Sequence, residues 1–338
     1  MKNVLFLGLG SIGQRHFRNL KKIDRKLNFF CIRQKKNSPQ LNDKNKVIIK
    51  KFSANKNSIK EITWADIGKH EIDTAFVTNP TSLHVETSLK LARLKINLFI
   101  EKPISHDLKN IDKLKNILKK NKLNCEIGFQ ARYDDLLIKL KKIIKIKKYG
   151  DIIKCNINHC HFLPNHHKYE NYKISYASNK NLGGGVLLCF SHEIDYAEYL
   201  FGKPKKIIPI KISSEKFLNI DVESSAQFSI LYKKKIPVIF NLDFIKKNPY
   251  RSCEIQFDYA YIKWDLLKNT LVIESKVDKK YRGKIKHRND LFLKSLRYIK
   301  YCFSRNKNAE NTFINSLSNL RTILSIKKSF AKKKIINL

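Results

Sequence analysis

Val4-Leu5-Phe6-Leu7-Gly8-Leu9-Gly10-Ser11-Ile12-Gly13 decides how the first part of this chain reads. Four apolar residues make a short buried strand. Three glycines in a G-x-G-x-x-G spacing follow, and a helix then runs to about Lys22. Gly8 allows the tight turn, Gly10 lets a pyrophosphate approach the backbone, and Gly13 lets the helix pack on the strand. Ser11 and Ile12 lie at the helix start, where free N–H groups and the positive dipole end face a phosphate. The motif alone is weak and also describes a ligand-free turn. Strand before, helix after and a start at residue 8 favour a dinucleotide loop.

The same pattern continues outward. Strands are expected at Leu27 to Ile32, Val47-Ile48-Ile49, Ile72 to Val77, Ile96 to Ile100 and Cys125 to Phe129. Helices over about 82–95 and 108–121 separate the last three. Alternation of this kind predicts a parallel, doubly wound sheet. Its ligands bind at the carboxyl ends of the strands. Glu101-Lys102-Pro103 sits at one such end, and Lys and Glu are rarely buried without a partner. Asn79-Pro80-Thr81-Ser82-Leu83-His84 leaves another strand on the same edge. Pro80 offers a rigid wall there, and Thr81 or Ser82 can cap the next helix. His84 is either a surface helix residue or a cofactor contact.

The end of the second strand bears on which dinucleotide is bound. An acid about 20 residues after the loop would mark NAD. Here Arg33 stands first, followed by Gln34, Lys35 and Lys36. An arginine binds a 2′-phosphate that an acid would repel. NADP is therefore expected, with NAD as the alternative. The bland reading makes Arg33 one more solvated charge.

Beyond residue 150 the pattern becomes strand-rich, with segments at 152–162, 207–213, 224–232, 236–244, 252–257, 260–264 and 270–274. Strands without crossover helices predict a large, mostly antiparallel open sheet. Helices near 289–303 and 311–329 close the chain. The expected architecture is α/β: a Rossmann domain over 1–125, then an α+β substrate and oligomerisation domain over 126–338. The boundary is soft, within about 120–150. Gly183-Gly184-Gly185 precedes a helix of about Val186 to Leu200. His192 falls about 140° from Leu187 at 100° per residue, off the apolar stripe, with Asp195 one turn on.

Composition narrows the classes. The chain has 338 residues and a formal charge of +40, carried by 57 Lys and 12 Arg against 29 acids. Base-edge readers favour Arg forks, and these lysines run through every segment, so no nucleic-acid role is expected. No apolar stretch reaches 18 residues, so no membrane span is expected. Seven scattered cysteines form no CxxC pair and fit reduced thiols in the cytoplasm. Cys155, His159, Cys160, His161, His166 and His167 form the nearest approach to a metal cluster. Strand alternation throws neighbours onto opposite faces, so no metal is expected.

Together these pieces resemble the Gfo/Idh/MocA oxidoreductases. The likeness is carried by Gly8 through His16, Asn79-Pro80-Thr81 with His84, Glu101-Lys102-Pro103, Gly128-Phe129-Gln130, Arg132-Tyr133, and Gly183-Gly184-Gly185 through Asp195. It implies an enzyme that moves a hydride between nicotinamide and a carbohydrate hydroxyl or ketone. Lys102 and His192 match the family's active-site lysine and histidine. Pro80, His84, Glu101 and Gln130 match cofactor-side positions, with Asn79 in the same loop. Arg132, Tyr133 and Asp195 match substrate-pocket positions. Phe162-Leu163-Pro164 through Tyr172 and Tyr176 resembles a branch associated with bacterial surface sugars, which adds both tyrosines to the expected pocket. A homo-oligomer is expected. One departure stands out: members often carry an acid three or four positions before the histidine, and here those positions are Cys189 and Leu188. Either His192 works without it, Asp195 or Glu193 substitutes, or the protein is a cofactor- or sugar-binding sensor.

Overall fold

The computed structural model describes residues 1–33, 37–233, 236–276, 281–284 and 288–338. The basic run Gln34-Lys35-Lys36 lies outside them. The chain divides into two compact units, Met1–Phe129 with Asn289–Leu317, and Gln130–Arg288 with Ser318–Leu338.

The first unit is a six-stranded parallel sheet in the order β5-β2-β1-β6-β7-β8. Its strands are β1 (Asn3–Leu7), β2 (Asn28–Ile32), β5 (Lys60–Glu61), β6 (Thr74–Val77), β7 (Asn97–Ile100) and β8 (Cys125–Ile127). Helices α1 (Ser11–Ile23), α2 (His84–Arg93) and α3 (Ile111–Lys120) follow β1, β6 and β7. All of β1 is buried, as a strand covered on both faces requires. Phe6, Phe76 and Phe99 stack across β1, β6 and β7 with centroids 5.1 and 4.7 Å apart. Each such buried side chain stabilises the unit by about 1.5–3 kcal/mol.

Two features of this unit differ from the sequence pattern. Val47–Ile49 is a strand (β4), but it pairs with β3 (Gln40–Leu41) in a separate hairpin. Asn42 accepts from the N–H groups of Lys44 and Lys46 and fixes that turn, leaving Ile48 55% exposed. The edge place is taken by β5, too short to show a period. Helix α7 (Arg288–Ser304) is the other feature, since the pattern groups it with the second half. Leu296, Ile299, Cys302 and Phe303 join the cluster around Phe6 and Phe17, and Asn19 and Asn289 exchange amide hydrogen bonds.

The second unit holds a nine-stranded sheet in the order β16-β15-β14-β13-β9-β12-β11-β10-β17. In chain order these are β9 (Ile152–Cys160), β10 (Pro204–Ser213), β11 (Ser225–Tyr232), β12 (Pro237–Asp243), β13 (Tyr250–Phe257), β14 (Ala260–Asp265), β15 (Thr270–Ser275), β16 (Tyr281–Lys284) and β17 (Ile336–Asn337). Among the described residues of this sheet, only β9 and β12 pair in parallel. Alternation is clean: Ala226, Phe228, Ile230 and Tyr232 of β11 are buried, and their neighbours are not. Helix α4 (Asp135–Lys145) precedes the sheet. Helices α5 (Val186–Cys189) and α6 (Ser191–Phe201) contact its central strands. Helix α8 (Phe313–Lys332) contributes its residues from Ser318 onward to this unit. Expected as one helix, α5 and α6 are separated at Phe190, whose φ and ψ of −98° and 28° leave the helical region.

Candidate functional site

In the first unit the glycine loop joins β1 to α1. Gly8 adopts φ +97°, and a Cβ on Gly13 would stand 2.5 Å from the Gly8 carbonyl oxygen and 2.8 Å from Thr78 Oγ1. Thr78 Oγ1 donates to that same carbonyl at 2.6 Å. Gln14, buried on α1, donates to the Leu9 and Pro39 carbonyls and accepts from Leu41 N–H. The loop is thereby pinned from three sides. By contrast, nothing lies within 4 Å of a Cβ built on Gly10. Gly10 caps α1 without a side-chain bond, and the first turn of Ser11 and Ile12 holds no acid. An open backbone at the positive end of a helix fits a pyrophosphate.

At the carboxyl end of β2, Arg33 is largely buried and already paired. Its Nη2 lies 2.8 Å from Glu61 Oε2. The expected phosphate reader thus has an acid beside it, delivered by the neighbouring strand.

The ends of β6 and β7 are tied to one another. His84 is fully buried, with Nδ1 2.9 Å from the Pro103 carbonyl and Nε2 2.9 Å from the Asn79 carbonyl. Burial pushes its pKa down, against the pull of those carbonyls. The ring therefore fastens Asn79 and Pro80 to the turn that carries Lys102. Asn79 itself donates to Thr87 Oγ1. Glu101 is buried, 2.7 Å from His16 Nε2, and accepts from Lys102 N–H at 3.1 Å. A Cβ on Gly128 would sit 2.9 Å from the Glu101 carboxylate. Lys102 is half-buried and precedes a cis Pro103. Glu101 thus holds the backbone that presents Lys102. His16 was not singled out in the sequence, although it shares the buried face of α1 with Gly13, Phe17 and Leu20.

In the second unit α6 carries a dense set of charges. His192 is 7% exposed, not on an open face as its angle from Leu187 suggests. Both sides of α6 are covered: Glu193 reaches β9 and β13, while Asn319 and Thr322 of α8 bond Ser191 and Glu198. Neither acid proposed to replace the missing one is uncommitted. Asp195 accepts from Arg132 Nη2 and Nε, at 2.7 and 3.1 Å. Glu193 Oε1 lies 2.7 Å from Arg251 Nε and 3.1 Å from His159 Nδ1. Burial alone would raise the Glu193 pKa, but Arg251 and His159 outweigh it and keep the carboxylate ionised.

The remaining expected residues of this unit fall nearby in sequence order. Gln130, Arg132 and Tyr133 share one short turn, with Arg132 and Tyr133 buried. Tyr172 donates its hydroxyl to the Leu218 carbonyl, and Tyr176 is half-buried. The triglycine answers to close packing of its own chain. A Cβ on Gly184 would meet the Tyr176 carbonyl at 2.5 Å, and one on Gly185 would meet Glu223 at 2.4 Å. The histidines of 159–167 form a ring ladder: His159 stacks on Phe190 at 3.7 Å, His161 on His166 at 4.8 Å, and His166 on His167 at 4.2 Å. Burial, with His159 and Arg251, pushes the His161 pKa down to about 3. Among the described residues no group of three or more ligating side chains could hold a metal ion.

Comparison with known proteins settles the family. A model for an oxidoreductase family with an NAD-binding Rossmann fold matches residues 2–129, and the GFO/IDH/MocA C-terminal domain matches residues 137–262. The chain belongs to the GFO/IDH/MocA oxidoreductases. A myo-inositol 2-dehydrogenase of Thermotoga maritima is 26% identical over 198 residues, 58% of this chain and 54% of that protein. An uncharacterized oxidoreductase of Streptococcus pneumoniae is 26% identical over 145 residues, 43% of this chain and 37% of that one. The chain thus spans about half or less of these curated relatives. Among solved structures, a levoglucosan dehydrogenase in complex with NADH superposes with a TM-score of 0.82. That match covers 99% of this chain and 98% of the other at 15% identity, so the likeness is one of fold.

Proposed function

We propose that this family member is an NAD(P)-dependent oxidoreductase acting on a carbohydrate hydroxyl or its ketone. The observation that carries the reading is the pinned loop with an open backbone at Gly10, on the same sheet edge as Lys102. Gly8, Gly10, Ser11, Ile12 and Gly13 would hold the pyrophosphate, and Arg33 would stand at the adenosine ribose. Asn79, Pro80, His84, Glu101 and Gln130 would shape the cofactor side. When bound, the dinucleotide accepts or donates a hydride. Lys102 would stabilise negative charge growing on the substrate oxygen. His192 would take the hydroxyl proton, or return it in reduction, since imidazole titrates near neutrality. Arg132, held by Asp195, would present its guanidinium to the sugar, with Tyr133, Tyr172 and Tyr176 around it. Relatives named as inositol and levoglucosan dehydrogenases support the substrate class.

The stretch from Phe162 to Tyr176 supports a setting in bacterial surface-polysaccharide metabolism. We place the protein in the cytoplasm as a homo-oligomer; its seven free cysteines suit a reducing compartment. No described helix is long and apolar enough to cross a membrane.

A second reading, a cofactor- or sugar-binding sensor, is favoured by one observation. Leu188 and Cys189 occupy the place of the usual acid, while Asp195 and Glu193 are committed to arginines. Nicotinamide fluorescence combined with turnover on a panel of polyols and nucleotide sugars separates the two. Dinucleotide binding with turnover supports the enzyme. Binding without turnover on any member supports the sensor, and no dinucleotide binding refutes the enzyme and a cofactor-binding sensor.

A further inference from the structure

Residues 31–61 bring an acid to the place where the sequence lacks one. Strands β2 and β5 pair in parallel, with Cys31 opposite Glu61. This register sets Glu61 beside the carboxyl end of β2, two residues before Arg33. Glu61 Oε2 accepts from Arg33 Nη2 at 2.8 Å, and Nη1 donates to the Phe52 carbonyl at 3.3 Å. The guanidinium lies 5.5 Å from the centroid of the Phe52 ring. Its Nε is buried with no hydrogen-bond partner among the described residues. Arg33 and Glu61 line an open groove of about 520 Å³ together with Lys51, Phe52, Ser53 and Asn55. The Arg33 side chain is 7% exposed, but that of Glu61 is 30% exposed.

Resting on the proposed dinucleotide function, we propose that Glu61 sets the choice of cofactor. It stands in for the acid missing at the tip of β2 and accepts the ribose hydroxyls of NAD(H). The 2′-phosphate of NADP(H) must draw Arg33 away from Glu61, and it meets a like charge as it does so. Arg33 therefore marks no simple preference for NADP. The protein takes NADH at least as well as NADPH, and the arginine–glutamate pair keeps the second cofactor within reach.

The test is equilibrium titration of the whole protein with NADH and NADPH, read by nicotinamide fluorescence at about 0.15 M salt to screen the general positive charge. Glu61→Gln removes both the acceptor charge and the repulsion, so the ratio of the two dissociation constants should move toward NADPH by about tenfold or more. Arg33→Gln should move it the other way by a similar factor. An unchanged ratio in a folded Glu61→Gln variant overturns the proposal, as does a wild-type protein that binds NADPH tenfold better than NADH. If Glu61→Gln does not fold, Arg33→Gln carries the decision, and an unchanged ratio there is equally fatal. A wild-type protein that binds neither nucleotide overturns the proposed function as well.

Discussion

Near the glycine loop, polar side chains end mostly on backbone; along α6, charges end mostly on charges. Thr78, Gln14 and His84 are spent on the carbonyls of Gly8, Leu9, Pro39, Asn79 and Pro103. Glu101 takes the Lys102 N–H and, as the exception in this unit, the His16 side chain. In the second unit Asp195 answers Arg132, and Glu193 answers Arg251 and His159. A backbone tie shapes a loop that grips a ligand through its own N–H groups. A buried ion pair instead fixes the direction of a side chain, and it leaves an expensive charge behind when one member is lost. The two units should therefore fail differently under mutation.

The largest effect is expected at the ion pair. Asp195→Asn breaks the buried charge pair with Arg132 and should destabilise the second unit by about 3–5 kcal/mol. Denaturant unfolding measures this, and a loss under about 1 kcal/mol would mean that water reaches the pair. Next comes Glu198, whose pKa burial pushes up to about 7 despite the bond from Thr322. An acid raised from 4.5 binds its proton more tightly in the folded state. Its contribution is therefore present below about pH 4.5 and lost as pH rises through about 7, amounting to up to about 3 kcal/mol. Glu198→Gln should remove that slope from a stability–pH curve, and a slope that persists would assign it to other groups. The smallest stability effect is expected in the loop. Gly13→Ala drives a methyl against the Gly8 carbonyl and should cost about 1–3 kcal/mol. Dinucleotide binding should nevertheless suffer most there, because the loop itself is the binding group.

This contrast also explains how much was legible in advance. The β1–loop–α1 unit and the strands between 204 and 275 follow local periods of 3.6 and 2, and they stand within a few residues of where the pattern puts them. The placement of Lys102 at a strand end follows from the same local order. What could not be read depends on distant partners. Arg132 and Asp195 are 63 residues apart, and Arg251 and Glu193 are 58 apart. Glu61 lies on a two-residue strand that shows no period. His192 looked exposed because its helix has one obvious stripe, but strands on one side and α8 on the other bury nearly every residue of its first two turns. Helix α7 packs under α1 because of four apolar residues that any core could use.

The most direct test is Lys102→Met, assayed for turnover on whichever panel sugar the wild-type protein oxidises and for dinucleotide affinity by fluorescence. Removing the ammonium should lower the rate by about 10²–10³ while affinity stays within about threefold. Near-normal turnover in that variant would contradict the assignment of Lys102 to the reacting oxygen.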